Sequence, residues 1–233
     1  MSPEPDVASR SLADCFAPRE SDLFGLAKRE LDLIDPEIAW YAKDGHVMAV
    51  RVANSLPRLA EVLNMRTTYY QSTLTRLGVS TWDGHDERAA AHLVCVEDGR
   101  LVGSIRVRFN VGSDTELHDD FGCPDQLVPE GGLPFFTFGR ELVVPDRRGS
   151  GVSLALVHAA CMWCRARSEV DTLRVVTLQQ YAEWAQRLGV RPLTCVLPLG
   201  PARVPVVVMG GEVSHVLDHA ARHLPAANWS VIA

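Results

Sequence analysis

The sequence predicts an α/β fold: a mixed sheet with helices on both faces. Three observations predict it. Short β-rich runs alternate with helical runs through the second half of the chain, and interleaved strands and helices build such a sheet. In the first half, Glu97-Asp98-Gly99-Arg100 carries the Asp-Gly signal of a two-residue hairpin, which supplies an antiparallel part. The composition, 47% hydrophobic and 22% charged over 233 residues, is enough for one sizeable core.

Taken in order, residues 1 to about 20 read as a polar, frayed arm. Leu23, Leu26, Ala27, Leu31 and Ile34 recur at helical spacing, predicting a short helix over 21–34 that stops at Asp35-Pro36. The expected organisation is therefore an N-terminal arm over 1–45 and a single domain over 46–233. Lys43-Asp44-Gly45 signals a turn into a strand over 47–53. Asn54 or Ser55 then caps a long helix with Pro57 in its first turn. Its apolar stripe reads Leu56, Leu59, Leu63, Tyr70, Leu74 and Leu77, and one step falls on Arg66. A buried lone charge costs several kcal/mol, so Arg66 pairs with a structural carboxylate, reaches the surface, or faces a polar cavity. The stripe alone does not choose among the three.

Residues 92–109 form the hairpin. On its returning strand Leu101, Gly103, Ile105, Val107 and Phe109 share one face, and Val102, Ser104, Arg106 and Arg108 the other. Residues 110–134 hold Asp114, Glu116, Asp119, Asp120, Asp125 and Glu130, with Phe121, Leu127 and Leu133 as packing points. So long an irregular segment inside a domain reads as a substrate-side flap. A strand over 135–144 follows, then a helix from Val152 to about Ala166 that is apolar almost all round. Strands over 173–178, 193–197 and 204–209 and helices over 179–188 and 212–224 complete the chain.

The formal charge of −6 argues against a nucleic-acid partner. No run of 18 apolar residues appears and the N-terminus has no basic-then-apolar pattern, so neither a membrane span nor a secretory signal is expected. With that, the expected location is cytoplasmic. The pair Cys161 and Cys164 has metal-like spacing but sits in a helical pattern without a second ligand pair, so it reads as structural and no metal is expected.

The chemistry-bearing stretch is Glu141-Leu142-Val143-Val144-Pro145-Asp146-Arg147-Arg148-Gly149-Ser150-Gly151-Val152-Ser153. A buried-type strand runs into a basic glycine loop that opens an apolar helix. Glycine lets the backbone approach a ligand, and unbonded N–H groups at a helix start point at an anion. The loop lacks the Gly-Lys-Ser/Thr of a P-loop and the third glycine of a dinucleotide fingerprint. An anion cradle and a plain connection both fit this pattern.

Arg148-Gly149-Ser150-Gly151-Val152-Ser153 resembles the pantetheine-pyrophosphate motif of the GNAT acyltransferase superfamily, Arg/Gln-x-x-Gly-x-Gly/Ala, and Leu142-Val143-Val144-Pro145 resembles its splayed central strand. The helix after it, the strand at Leu173 and the segment ending in Arg187-Leu188-Gly189-Val190 are similar to the closing half of that fold. In the N-terminal half, Arg66-x-x-x-Tyr70, Asp83-x-x-Asp86, Gly103-Ser104-Ile105-Arg106 and Leu117-x-x-Asp120-Phe121 follow in an order that resembles the branch of acyl-homoserine-lactone synthases and N-acyl amino acid synthases. The likeness runs from about Val50 to Leu199.

This resemblance implies a GNAT-like sheet and an acyl-CoA or acyl-phosphopantetheine co-substrate. Leu142, Val143 and Val144 would meet the pantetheine arm, Arg148, Gly149, Ser150, Gly151, Val152 and Ser153 its phosphates. Arg66, Tyr70, Asp83, Asp86, Arg106 and Arg140 would lie near a small-molecule amine acceptor. The implied activity is transfer of the acyl group to an amino acid or similar amine by direct aminolysis. Glu141 is the candidate general base, Asp83 or Asp86 the alternates, and an ion pair between Glu141 and Arg106 or Arg108 the bland reading. A backbone N–H near Val143 would meet the oxyanion.

Two departures qualify the likeness. Phe138-Gly139-Arg140-Glu141 stands where the autoinducer synthases carry Glu-x-Ser-Arg, which points away from S-adenosylmethionine as acceptor. Ala185 stands where many acetyltransferases place an acid tyrosine, and Tyr181, one turn earlier, is the candidate substitute. The competing readings are an acyl-homoserine-lactone synthase and a non-catalytic acyl-thioester-binding regulatory domain. A carrier-protein donor would call for a basic docking patch, for which Arg147, Arg148, Arg165 and Arg167 are the available charges.

Overall fold

Nine strands pair into one sheet in the computed structural model, which describes residues 35–43, 46–111, 129 and 133–224. The expected helix over 21–34, the acidic segment from Asp114 to Glu130 apart from Pro129, and Asp44-Gly45 of the first turn lie outside the described residues. In chain order the elements are β1 (Glu37–Lys43), β2 (His46–Val52), α1 (Leu56–Leu77), α2 (Gly84–Glu87), β3 (Ala91–Glu97), β4 (Arg100–Asn110) and β5 (Phe135–Val143). There follow α3 (Val152–Arg165), β6 (Thr172–Leu178), α4 (Ala182–Arg187), β7 (Arg191–Pro192), β8 (Leu197–Leu199), β9 (Val204–Glu212) and α5 (Val213–His223). The order across the sheet is β1-β2-β3-β4-β5-β6-β9-β7, with β8 also on β9. Every pairing is antiparallel except β5 with β6. The predicted mixed sheet with helices on both faces is thus what the chain forms.

Local chemistry explains the elements that position the site. The Ser55 side chain accepts from Arg58 N, Pro57 occupies the first turn, and Gly78 closes α1 in the left-handed region at φ 76°. Asp98 and Gly99 take φ 50° and 78°, the backbone that a tight turn matching the twist of two antiparallel strands needs. α3 packs across β1 to β5 and against α5 on one face of the sheet. Gly103 permits that approach: a Cβ there would come within 2.7 Å of Val152 Cγ1 and 3.0 Å of Leu156 Cδ1. On the other face Val62 of α1 joins Ala53 and Val94, with Leu59 and Leu101 packed beside them.

Three expectations need correction, and one element is new. The domain does not begin at residue 46, because Glu37–Lys43 is a strand of the same sheet, paired with β2. Leu56 does not serve the apolar stripe of α1: it is 49% exposed, while Val62 and Met65, between the expected positions, are buried. Gly84–Glu87, for which the sequence gives no element, is the short helix α2, with Asp83 as its N-cap. The strand expected over 193–197 is replaced by two shorter ones, β7 and β8, on either side of it.

Candidate active site

β5 divides the site. Its partner β4 follows it along the whole strand, from Asn110 with Phe135 to Gly103 with Val143. β6 follows it only from Phe136 to Phe138. Beyond Phe138 no pairing with β6 is present among the described residues, and β6 continues against β9 instead. Two parallel strands that part in this way leave a V-shaped opening with one unpaired strand edge. Parting begins at a β-bulge: the β4–β5 register slips by one residue between Ser104 and Arg106, and Arg140 takes φ 52°. A bulge re-aims side chains, and here neighbours in sequence go to opposite faces. Arg140 donates to Asp83 at 2.5 Å, beneath α1 and α2. Glu141 accepts from Ser153 Oγ at the start of α3.

The backbone beside the opening sorts by alternation. Val144 donates to Val102 O at 3.0 Å and accepts from Arg147 N at 3.0 Å, so its N–H is committed to β4. Since Val144 N–H points to β4, the preceding N–H of Val143 points to the edge that β6 has left.

The glycine loop ends at α3, whose N-cap Gly151 (φ 100°) offers no side-chain cap. The first bond inside the helix is Ala155 N to Gly151 O at 2.9 Å, so the N–H groups of Val152, Ser153 and Leu154 precede any intrahelical acceptor. Gly149 sits at φ 80° with open space where a side chain would stand. Ser150 is committed locally, its N–H and Oγ both donating to Arg147 O. Arg147 turns away to Glu97, and Arg148 is the exposed basic side chain left at the loop. The four arginines available for a docking patch lie at opposite ends of α3. Arg147 and Arg148 precede α3 and Arg165 and Arg167 end it, about 20 Å apart at 1.5 Å per residue. Arg165 faces Asp171 at 3.6 Å and Arg167 lies over the Trp163 ring at 4.5 Å.

On the other face, sequence-distant charges converge. Arg66 on α1 donates to Asp86 at 2.7 Å, Arg106 on β4 lies 3.1 Å from both Asp83 and Asp86, and Arg140 closes on Asp83. Arg66, Arg106 and the Asp86 side chain are fully buried. Asp83 and Asp86 also form a capping box for α2: Asp83 accepts from His85 N at 2.9 Å and Asp86 N at 3.0 Å, and Asp86 accepts from Asp83 N at 3.1 Å. Burial alone would raise the Asp86 carboxyl, but Arg66 and Arg106 outweigh it and hold the group at about 2. Arg66 also stands 5.6 Å over the Trp82 ring, which stacks on His92 at 5.0 Å. His92, near Asp86 O at 3.0 Å, is pushed down to about 4 by burial and by Arg66. Three guanidinia thus share two carboxylates among the described residues, an excess of one positive charge, and Arg66 Nε, Arg66 Nη2 and Arg140 Nε have no partner. Of the three readings of Arg66, pairing with a carboxylate is the one realised.

Tyr70, on α1 one turn past Arg66, lies within electrostatic reach of Arg140, Glu141, Tyr181 and Arg66, and burial raises its hydroxyl. Tyr181 is 50% exposed. Glu141 does not pair with Arg106 or Arg108. Burial pushes its carboxyl from 4.5 to about 7, with the Ser153 hydroxyl pulling the other way. The cysteines near the site are inert: Cys95, Cys161 and Cys164 are buried, and burial raises each thiol, Cys95 to about 12. No group able to hold a metal occurs among the described residues, and no helix there is long and apolar enough to cross a membrane.

No family model and no curated protein matches the sequence. Solved structures do match the fold. FeeM, an N-acyl amino acid synthase from uncultured soil microbes, superposes with a TM-score of 0.57 at 10% identity, covering 73% of this chain and 93% of that one. BjaI, a CoA-dependent acyl-homoserine lactone synthase, gives 0.52 at 19% identity, with 71% and 82% covered. Arabidopsis thaliana NAA60, solved with acetyl-CoA, gives 0.51 at 11% identity, with 72% and 99% covered.

Proposed function

We propose that this chain, whose fold is that of the GNAT acyltransferases, is an N-acyltransferase that moves an acyl group from a pantetheine thioester to the amine of an amino acid or similar small molecule. The observation that carries the reading is that three features adjoin β5, through Glu141, its free edge and Arg140. These are the uncapped start of α3, the β5 edge that β6 has left, and the cationic cluster beneath α1. The first suits a pyrophosphate, the second an extended pantetheine arm, and the third an acceptor bearing negative charge.

In this reading the N–H groups of Gly151, Val152 and Ser153, with the Arg148 guanidinium, bind the phosphates. The N–H of Val143 points into the opening, where it would meet the thioester oxygen as that oxygen becomes an oxyanion. The acceptor must attack as a neutral amine. Glu141, at about 7, takes a proton near neutral pH and holds it with little cost, which suits a general base acting directly or through one water. Asp83 and Asp86, the alternates, are engaged as helix caps and ion-pair partners, and Asp86 at about 2 is a poor base. Tyr181, exposed beside Tyr70, is the candidate to protonate the departing thiolate. Electrons flow from the amine nitrogen to the carbonyl carbon, the C–S bond breaks, and an amide and a thiol result. Arg140 would orient the acceptor, with Arg66 and Arg106 behind it holding Asp83 and Asp86 in place.

The test is thiol release from acyl-CoA and from acyl-carrier protein, each with and without a panel of amino acids, with products identified by mass. Amine-dependent thiol release with formation of an N-acyl amino acid is expected. Amine-independent release, or none with any donor, overturns the reading. A product formed only with S-adenosylmethionine would instead support a lactone synthase, and binding without turnover a regulatory domain.

A further inference from the structure

The end of β6 remote from the opening carries a second cleft. It encloses about 420 Å³ and is lined by Thr172, Arg174, Arg191, Gly210, Glu212 and His215 among others. Sheet register builds it. Gly210 on β9 is paired with Arg174 on β6 at one side and with Arg191 on β7 at the other. Two arginines therefore stand in one row across a glycine, with Cα atoms about 10 Å apart at the usual strand spacing. Like charges so placed repel and are normally avoided or neutralised.

Among the described residues no ion pair joins either arginine to a carboxylate. Arg174 Nη1 donates to the carbonyl of Leu173 at 3.0 Å, and Arg174 Nε is buried without a partner. Arg51, Arg66, Arg106, Arg140 and Arg147, by contrast, each meet a carboxylate. The nearest acid in sequence, Asp171, is used elsewhere. Its carbonyl and carboxylate accept from Val213 N at 2.7 Å and Ser214 N at 2.8 Å to start α5. Burial and the charge of Arg191 both act to lower the Arg174 guanidinium, so the site as it stands has uncompensated positive charge.

Glycine at the centre of the row leaves room for the side chains beside it. A Cβ on Gly210 would lie 2.9 Å from Arg174 Nη1 and 2.6 Å from Leu193 Cδ1, so the guanidinium rests on the bare backbone. Glu212, opposite Thr172 in the adjoining row, is exposed at the rim. Arg174 and Arg191 with Glu212 leave one net positive charge, before any contribution from His215.

We propose that this cleft is a binding site for the oxyanion head group of a small molecule, a phosphate or a carboxylate clamped between Arg174 and Arg191. The planar forks of two guanidinia supply paired donors to such a group, and the Thr172 hydroxyl stands on the same row edge to donate a further bond. The site is separate from the acyl-transfer opening and does not depend on that reading. A ligand carrying an ammonium group as well would find Glu212 beside it.

The experiment is an amide NMR titration of the full chain with inorganic phosphate in one arm and acetate in the other, against chloride at equal ionic strength. The Gly210 and Gly211 signals report this cleft, and Gly149 and Gly151 report the α3 loop. Saturable shifts of Gly210 and Gly211 are expected, and the arm that saturates first identifies the head group. In Arg191→Gln, an exposed change on a two-residue edge strand, binding at these signals weakens at least about tenfold, while the Gly149 and Gly151 signals respond as in the parent. The proposal is overturned if Gly210 and Gly211 respond to neither anion beyond the chloride control. It is equally overturned if Arg191→Gln and the double variant with Arg174→Gln titrate like the parent.

Discussion

Replacing Glu141 by glutamine separates what its burial costs the fold from what it contributes to chemistry. Its carboxyl is displaced from 4.5 to about 7, and each unit corresponds to 1.36 kcal/mol, so the penalty reaches about 3 kcal/mol when the group is ionised. The sign follows from proton counting. Between those two values the folded chain keeps a proton that the unfolded chain has released, so this group's contribution falls as pH rises through the window. Glutamine does not titrate and keeps the shape and the hydrogen bond from Ser153. The variant should therefore gain on the parent as pH rises, by about 2–3 kcal/mol between about pH 5 and pH 8, the other groups cancelling in the difference. Urea denaturation of both proteins at a series of pH values measures this. Under the same conditions amine-dependent thiol release should fall by about 10²–10⁴-fold. If the two stability curves run parallel, Glu141 does not carry the raised value argued from its burial, and its assignment as base loses its physical ground.

Further outcomes follow from the same geometry. Ser153→Ala removes the bond that favours the charged carboxylate, so the acidic limb of the pH–rate profile should move further to alkaline pH. Asp86→Asn leaves Arg66 and Arg106 buried beside a neutral group and should cost about 3–5 kcal/mol in denaturant titrations. Gly103→Val drives a side chain into Val152 and Leu156. It should cost about 1–3 kcal/mol and, by shifting the start of α3, weaken CoA binding measured by calorimetry. His92 and His158 are each pushed down to about 4 by burial. In the Glu141→Gln background, stability should accordingly fall as pH drops from 6.5 towards 4, by up to about 2.7 kcal/mol per pH unit for two protons taken up on unfolding.

Elements whose cause is local were legible in the sequence. The Asp98-Gly99 turn, the Ser55 cap, the bounds of α3 and the glycine loop each need only a few adjacent residues to specify them. What escaped depends on pairing across the sheet. β1 was assigned to the arm because Asp35-Pro36 ends one element without saying what the next one pairs with. α2 has only four residues, too few for a periodicity, and its signal was the Asp83-x-x-Asp86 spacing itself, which serves as a capping box as well as a charge pair. Arg66 stood out as a charge on an apolar stripe, yet its partner lies 20 positions away and only the fold selects it. The Arg174–Arg191 row is invisible in sequence because Gly210, the residue that joins them, belongs to a third strand. Gly139 inside the strand marks the bulge, yet the left-handed backbone falls on its neighbour Arg140, a conformation that arginine seldom takes.

That surplus residue in β5 also fixes how tolerant the strand is to length change. Removing any one position between Gly139 and Glu141 would let the ladder to β4 close without a slip, and everything upstream or downstream would rotate by half a pleat. The segment on one side of the deletion would then present its core-facing side chains to the wrong face of the sheet. Homologous chains are accordingly expected to conserve the count of residues here more strictly than their identity, and insertions are expected to collect in the turns instead.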